Sequence, residues 1–275
     1  MKTVLITGTS SGFGLLSTII LAKKGYYVIA TMRDIKKQDQ LLSLAQQDQV
    51  VERITVIQMD VTKREEVESA YLFVNKRWGK LDVLINNAGY ALGGFLEELS
   101  EEDWYRQFET NFFGVVRVTK TFLPLLKKNG GGKIINISSI SGYFGFPGLG
   151  PYVASKHALE GFSESLRFEL LDENVFVSLV EPASYKTKIW EKGLATLDLQ
   201  KERPVFQQRL IKQAMRNITT SADPEEVTHV ISRICEAEKP RLRYPVGKGA
   251  KPLYHIKSIL PWSLVERFVQ NRLKG

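Results

Sequence analysis

Tyr152 and Lys156 stand four residues apart within PYVASKHALEGFSESLRFEL. On a helix this spacing puts both side chains on one face, one turn apart. A tyrosine hydroxyl has an unperturbed pKa of about 10 and is a poor acid–base group at neutral pH. A fixed ammonium beside it favours the phenolate, lowering that value toward the range useful for proton transfer. The pair can therefore move a proton to or from a substrate oxygen. Alone, this spacing is most often an ordinary surface pair, so the elements around it have to carry the argument.

The chain starts with a β-branched run, KTVLIT, which leads into Gly8-Thr-Ser-Ser-Gly12-Phe-Gly14. A helical pattern through Leu15, Leu16, Ile19, Ile20 and Ala22 follows, closed by Gly25, and then a second strand-like run, YYVIAT. Strand, glycine-rich turn, helix and strand form the unit that sets a pyrophosphate on a helix N-terminus. The spacing is G-x-x-x-G-x-G rather than G-x-G-x-x-G, and no Gly-Lys-Ser/Thr follows, so it is not a P-loop. ITVIQMD, LDVLINNA, GKIINIS and VFVSLVEP continue the alternation of strands and helices. The expected fold is α/β, a doubly wound parallel sheet of Rossmann type with helices on both faces. RLRYPVG is expected to close its edge as a seventh strand. One domain is expected over residues 1–275.

Together these residues resemble the classical short-chain dehydrogenase/reductase family over residues 2–190, in its hydroxysteroid- and retinol-dehydrogenase-like branch. TGTSSGFG matches the cofactor loop, with Gly8, Ser10, Ser11, Gly12, Phe13 and Gly14. Asp60-Val61 matches the pair after the third strand that meets the adenine. Asn86-Asn87-Ala88-Gly89 matches the motif closing the fourth strand. Asn111 matches the asparagine of the next helix, and Ser139 precedes Tyr152 by the family's usual interval. After the sixth strand, Pro182 and Thr187 fit, but Ala183 replaces the family's usual glycine.

The resemblance implies hydride transfer between a nicotinamide and a carbonyl or alcohol carbon. Tyr152 would exchange the proton with the substrate oxygen. Lys156 would tune Tyr152 and hold the nicotinamide ribose. Ser139 would polarise the same oxygen, although Ser138 and Ser141 are neighbours. Asn111 would organise a water linking Lys156 to solvent, or merely bridge backbone groups. A nucleotide-sensing binding protein of the same fold is the alternative, and the intact four-residue centre argues against it.

Cofactor choice is read at the end of the second strand, Ala30-Thr31-Met32-Arg33-Asp34. NAD enzymes commonly place an acid there, whereas arginine accommodates a 2′-phosphate. Arg33, Ser11, Lys36 and Lys37 favour NADP, with Asp34 keeping NAD as the alternative. Residues 183–220 are expected to supply the substrate loop and its helices, with a second helix opened by Ser221 and Asp223-Pro224. Tyr90-Ala-Leu-Gly-Gly-Phe95 and Gly142-Tyr-Phe-Gly-Phe-Pro-Gly-Leu149 are apolar, which suits a lipophilic carbonyl compound.

The chain has 275 residues, with 43% hydrophobic and 25% charged, the composition of a soluble globular protein. One cysteine, Cys235, permits no internal disulfide, and three scattered histidines show no metal-ligand spacing, so no metal is expected. No apolar run reaches the length of a membrane span and no signal peptide is read, so a cytoplasmic location is expected. The net charge of +8 is confined to residues 239–275, which hold nine Lys/Arg and one acid, Glu266. That basic extension includes an amphipathic segment, LPWSLVERFVQNRLKG. Its default reading is a packed helix with a solvated basic face, and weak contact with an anionic membrane surface is the alternative. A nucleic-acid partner is not expected. The resemblance implies a homodimer or homotetramer paired across the helices of Asn111 and Tyr152, and those helices carry many large apolar groups. Those are Trp104, Phe108, Phe112, Val115 and Phe122 on the first, and Phe162, Leu166, Phe168 and Leu170 on the second.

Overall fold

A computed structural model describes residues 1–185, 187, 201–219 and 222–274. Most of the expected substrate loop, and Ser221, lie outside the described residues. Seven parallel strands form one sheet in the order β3-β2-β1-β4-β5-β6-β7. They are β1 (Thr3–Thr7), β2 (Tyr27–Met32), β3 (Ile54–Gln58), β4 (Val83–Asn86), β5 (Gly132–Ile137), β6 (Val175–Pro182) and β7 (Arg243–Val246). Every residue of β1 and β4 is buried, as expected of central parallel strands covered on both faces.

Alternate strand residues feed two cores. Val4, Ile6, Val28, Ala30, Ile85 and Ile135 face α1 (Gly12–Lys23), α2 (Asp39–Gln47) and α8 (Glu225–Glu236). Leu5, Ile29, Leu84, Ile134 and Val177 face α3 (Arg64–Trp78), α5 (Gly114–Lys128) and α6 (Gly150–Glu169). Gly25 stops α1 as the sequence predicts. It takes φ +87°, its amide donates to Ala22 O at 3.0 Å, and the Tyr26 amide donates to Leu21 O at 3.1 Å. α4 (Glu101–Phe108) opens with a capping box between Ser100 and Asp103.

The helices expected after the substrate loop are α7 (Val205–Thr219) and α8. The amide of Glu225 donates to the Asp223 carboxylate at 2.9 Å, so Asp223 does mark the start of α8. The basic extension holds two helices rather than one, α9 (Ala250–Ile259) and α10 (Trp262–Lys274). No helix of the described residues is long and apolar enough to cross a membrane.

Candidate active site

The strand order reverses between β1 and β4, and ligands of open α/β sheets bind at the carboxyl ends of the strands flanking such a point. The turn after β1 is built for close backbone approach. Gly8 takes φ +71°, and a Cβ there would lie 2.8 Å from Ala88 Cα. A Cβ on Gly14 would collide with Gly8 O and Asn87 Nδ2. Ser11 stands at the N-cap of α1 with no side-chain cap bond, and the first turn carries no acid. The leading amides of α1 are therefore left for an anion, a fit to a dinucleotide's diphosphate. Ser10 and Ser11 are half-buried beside them, and Thr187 sits 3.7 Å from where a Gly12 Cβ would be. Phe13 stacks edge-on against Tyr185 at 5.8 Å, and Tyr185 donates its hydroxyl to Glu226 at 2.7 Å.

Thr7 is a hub that sequence reasoning missed. Its hydroxyl oxygen accepts the amides of Asn87 and Ala88, both at 2.9 Å. Asn87 Nδ2 donates to Thr7 O at 2.8 Å and Gly8 O at 2.9 Å. Behind it, Asn86 Nδ2 donates to Thr119 and Asn136, and Asn136 donates to Ser163. This buried polar chain ties the end of β4 to β5, α5 and α6.

At the end of β2, Arg33 is exposed. Asp34 accepts the Lys36 amide at 3.1 Å and thereby caps the turn Ile35–Lys37, with Lys37 at 3.7 Å. After β3, Asp60 accepts the amide and hydroxyl of Thr62 at 3.0 and 2.8 Å. Val61 is buried and presents its carbonyl to Arg117 at 2.6 Å.

The structure brings Asn111, Ser139, Tyr152 and Lys156 together, all buried. Asn111 occupies a π-helical turn, Glu109–Phe113, between α4 and α5, where one extra residue rotates its side chain inward. Its carboxamide accepts the Tyr90 amide at 3.1 Å and donates to Tyr90 O at 2.9 Å. Nδ2 also reaches Ser155 of α6 at 3.4 Å. Gln107, one turn earlier, holds Tyr90 O at 2.9 Å and the Leu92 amide at 2.8 Å. Gly89 passes close under Asn111, with a Cβ there 3.1 Å from Oδ1.

Ser139 lies two residues past β5, and its hydroxyl accepts the Ser141 amide at 3.1 Å while bonding to the Tyr152 hydroxyl. That bond selects Ser139 among the three neighbouring serines, since Ser138 instead donates to Glu160. Lys156 Nζ donates to Ile137 O at 2.7 Å and lies 5.7 Å from the Tyr152 ring centre.

The protonation pattern differs from the one the Tyr–Lys spacing predicts. Burial pushes the Tyr152 hydroxyl up to about 12, with the Ser139 bond pulling it back. Burial also pushes Lys156 down to about 8, with Glu160 opposing. Desolvation dominates both groups, raising the phenol and lowering the ammonium. Spacing along a helix does not reveal burial, so this reversal was invisible in the sequence.

The Pro182-Ala183 departure leaves the strand path regular. Pro182 pairs with Val246, the Ala183 amide donates to Val246 O at 2.9 Å, and Gly247 makes room opposite Ala183.

A profile of the short chain dehydrogenase family matches residues 2–197. The chain is similar to the oxidoreductase YusZ of Bacillus subtilis, with 44% identity over 99% of this chain and 98% of that one. Human retinol dehydrogenase 8 is 38% identical over 94% of this chain and 85% of its own. The 3-ketodihydrosphingosine reductase of Bacteroides thetaiotaomicron is 35% identical over 96% and 94%. Among solved structures, a short-chain dehydrogenase from Streptomyces avermitilis matches over both full chains, with TM-score 0.80 and 30% identity. An alcohol dehydrogenase from Thermococcus sibiricus complexed with 5-hydroxy-NADP matches at TM-score 0.72 and 26% identity, over 88% of this chain and 94% of that one. A Burkholderia phymatum enzyme in complex with NAD matches at 0.75 and 26%, over 86% and 87%. With the glycine cradle, the NNAG clamp and the buried quartet in place, the chain belongs to the short-chain dehydrogenase/reductase family, an oxidoreductase of CH–OH donors that uses NAD(P).

Proposed function

We propose that this enzyme uses NADP(H) to interconvert a carbonyl and an alcohol on a lipophilic ketone, aldehyde or hydroxysteroid-like substrate. The observation that carries the cofactor choice is the pairing of an exposed Arg33 with an engaged Asp34. A guanidinium at that strand end suits a 2′-phosphate, and the Asp34 carboxylate beside it uses one oxygen to cap a turn. The nicotinamide, when bound, supplies the hydride chemistry. Gly8, Ser10, Ser11, Gly12, Phe13 and Gly14 would hold the diphosphate at the start of α1. Asp60 and Val61 would flank the adenine, and Asn87, Ala88, Gly89, Pro182 and Thr187 would line the nicotinamide half.

Tyr152 gives its proton to the substrate oxygen, or takes one from an alcohol. Ser139, already bonded to Tyr152, donates to that same oxygen where negative charge develops. Lys156, its ammonium held beside the Tyr152 ring, would hold the ribose hydroxyls. Asn111 fixes the Tyr90 backbone and the helix of Lys156 at Ser155, and orders the water that replaces the proton.

A lipophilic substrate is supported by the loops over the site. A bridge between Gly94 and Leu149 joins them, and they present Phe95, Leu96, Phe144, Phe146 and Leu149. The names of two relatives, a retinol dehydrogenase and a 3-ketodihydrosphingosine reductase, support the same class. The test is kcat/KM with NADPH and with NADH across short polar and long apolar aldehydes and ketones. NADH preference, or turnover confined to short polar carbonyls, would overturn the reading.

The enzyme is proposed to be cytoplasmic and to self-associate. A second surface supports weak contact with an anionic membrane. On α10, Trp262 is 59% exposed and Leu264 43%, beside Leu260 and against α7, which exposes Val205, Phe206 and Met215. Among the described side chains of α10, only Val265 is buried. Apolar groups next to a basic segment suit an anionic interface. Co-sedimentation with anionic vesicles at low salt, lost in neutral ones, is the expected outcome.

A further inference from the structure

Helix α6 carries Tyr152, Lys156, Glu160 and Glu164 at successive intervals of four, so one stripe holds the catalytic pair and continues into two carboxylates. Three consecutive residues at the end of β5 hold three consecutive turns of that stripe. Ser139 bonds the Tyr152 hydroxyl, Ile137 O accepts from Lys156 Nζ at 2.7 Å, and the Ser138 hydroxyl donates to Glu160. Glu160 is buried, and Gly142 lies so close that a Cβ there would come 2.8 Å from Glu160 Cγ.

We propose that Glu160 is a positioning residue of this reaction centre: its carboxylate keeps Lys156 in the ammonium form and, through Ser138, fixes Ser139 against Tyr152. The inference rests on Tyr152 and Lys156 being the acid–base pair. Burial of an ammonium favours its neutral form, and a carboxylate one turn away on the same face opposes that. The groups around Glu160 are few and defined. Lys156 and Glu164 share its helix, and Ser138 directly follows β5. Glu181 comes from β6 and Arg243 from β7, with Tyr143 on the turn after β5 and Tyr254 on α9. Arg243 donates to Glu160, to Glu164 and, at 2.7 Å, to Glu181. Glu181 is held protonated by burial and by Glu160, so it adds little charge against Lys156 near pH 7. Glu164 is half exposed and screened by water. Glu160 is thus the buried negative charge on the lysine's own stripe.

The test is the pH profile of kcat/KM. Glu160→Gln keeps the shape and the acceptor for Ser138 but removes the charge. The alkaline limb, where Lys156 loses its proton, is expected to move about 0.5–1 unit toward acid, below the 1–3 units typical of a directly paired charge. Glu160→Asp restores the limb. Glu164→Gln, a partner of the same Arg243, leaves the profile in place. If Glu160→Gln does not fold, Ser138→Ala carries the test: it cuts the link from Glu160 to Ser139, so kcat should fall with the KM for cofactor unchanged, and a kcat equal to wild type would overturn the positioning role. A lowered Tm with a profile superimposable on wild type would overturn the proposal, as would equal shifts from Glu160→Gln and Glu164→Gln. Tyr152→Phe separates the two readings. An active Tyr152→Phe removes the acid–base assignment itself, whereas an inactive one with an unshifted Glu160→Gln profile removes this inference alone.

Discussion

Thr7 and Asn87 hold each other reciprocally. The Thr7 hydroxyl accepts the Asn87 amide at 2.9 Å, and the Asn87 carboxamide returns a bond to Thr7 O at 2.8 Å. One residue thereby joins the glycine turn after β1 to the segment after β4. Thr7→Val keeps the β-branched shape and leaves the Asn87 and Ala88 amides without their acceptor. An unsatisfied buried donor costs about 1–3 kcal/mol. A Tm lower by several degrees and a raised cofactor KM are expected, measured by thermal melts and steady-state kinetics.

Tyr152→Phe removes the hydroxyl and leaves the ring. Turnover should fall by at least about 100-fold, the lower end of what a positioned proton donor contributes. Cofactor binding, followed by fluorescence of the reduced nicotinamide, should be retained. Turnover near the wild-type rate would refute the assignment.

Arg33→Ala should raise the KM for NADPH about tenfold to a hundredfold, because a hydrogen bond to a charged group contributes about 1.5–3 kcal/mol. The KM for NADH should change little. Equal effects on both cofactors would shift the choice to NAD.

Glu181 gives a stability signature. Burial first, then Glu160, raises its carboxyl to about 8, with Arg243 opposing. Between the ordinary carboxylate value and about 8 the folded chain holds a proton that the unfolded chain has released, so stability falls as pH rises through that window. In Glu181→Gln this contribution is absent. The Tm difference between variant and wild type should therefore grow in the variant's favour from pH 5 to pH 8. A constant difference across that range would contradict the assignment.

Much of this was legible because it depends on local sequence. The strand runs, the Gly25 stop, the glycine cradle and the Tyr152–Lys156 face follow from period, turn chemistry and motif order. What stayed hidden depends on partners far along the chain. Arg243 meets Glu160 across 83 positions and Glu181 across 62. The Thr7 hub looks like any β-strand threonine until β4 is placed beside it. Helix α9 had no counterpart in the sequence reading, which placed only the amphipathic LPWSLVERFVQNRLKG in this region. Tertiary contacts hold it: Tyr143 donates to Ala250 O at 3.2 Å and stacks edge-on with Tyr254.

The self-association expected from the sequence has a narrower basis in the structure. Val115, Phe122, Leu166 and Leu170 are core residues of the single chain. Phe108, Phe112 and Phe162 form an edge-to-face cluster between the helices. Phe113 and Phe168 remain 49% and 71% exposed on the outer face, with Tyr105 and Leu171. Phe113→Ser with Phe168→Ser should convert the assembly to monomers by light scattering at micromolar concentration without loss of folded secondary structure. A wild-type chain that is already monomeric would rule the assembly out.

The last strand limits what can be added to its side of the sheet. β7 pairs in parallel with β6, with Leu242 O and Val246 O turned toward it, so the alternate residues Arg243 and Pro245 turn their backbone outward. One of these is Pro245, which has no N–H to offer. Another extended chain laid along this border would find the hydrogen-bond row broken at its middle. On this side of the sheet the border therefore guards against runaway strand addition and fibril growth.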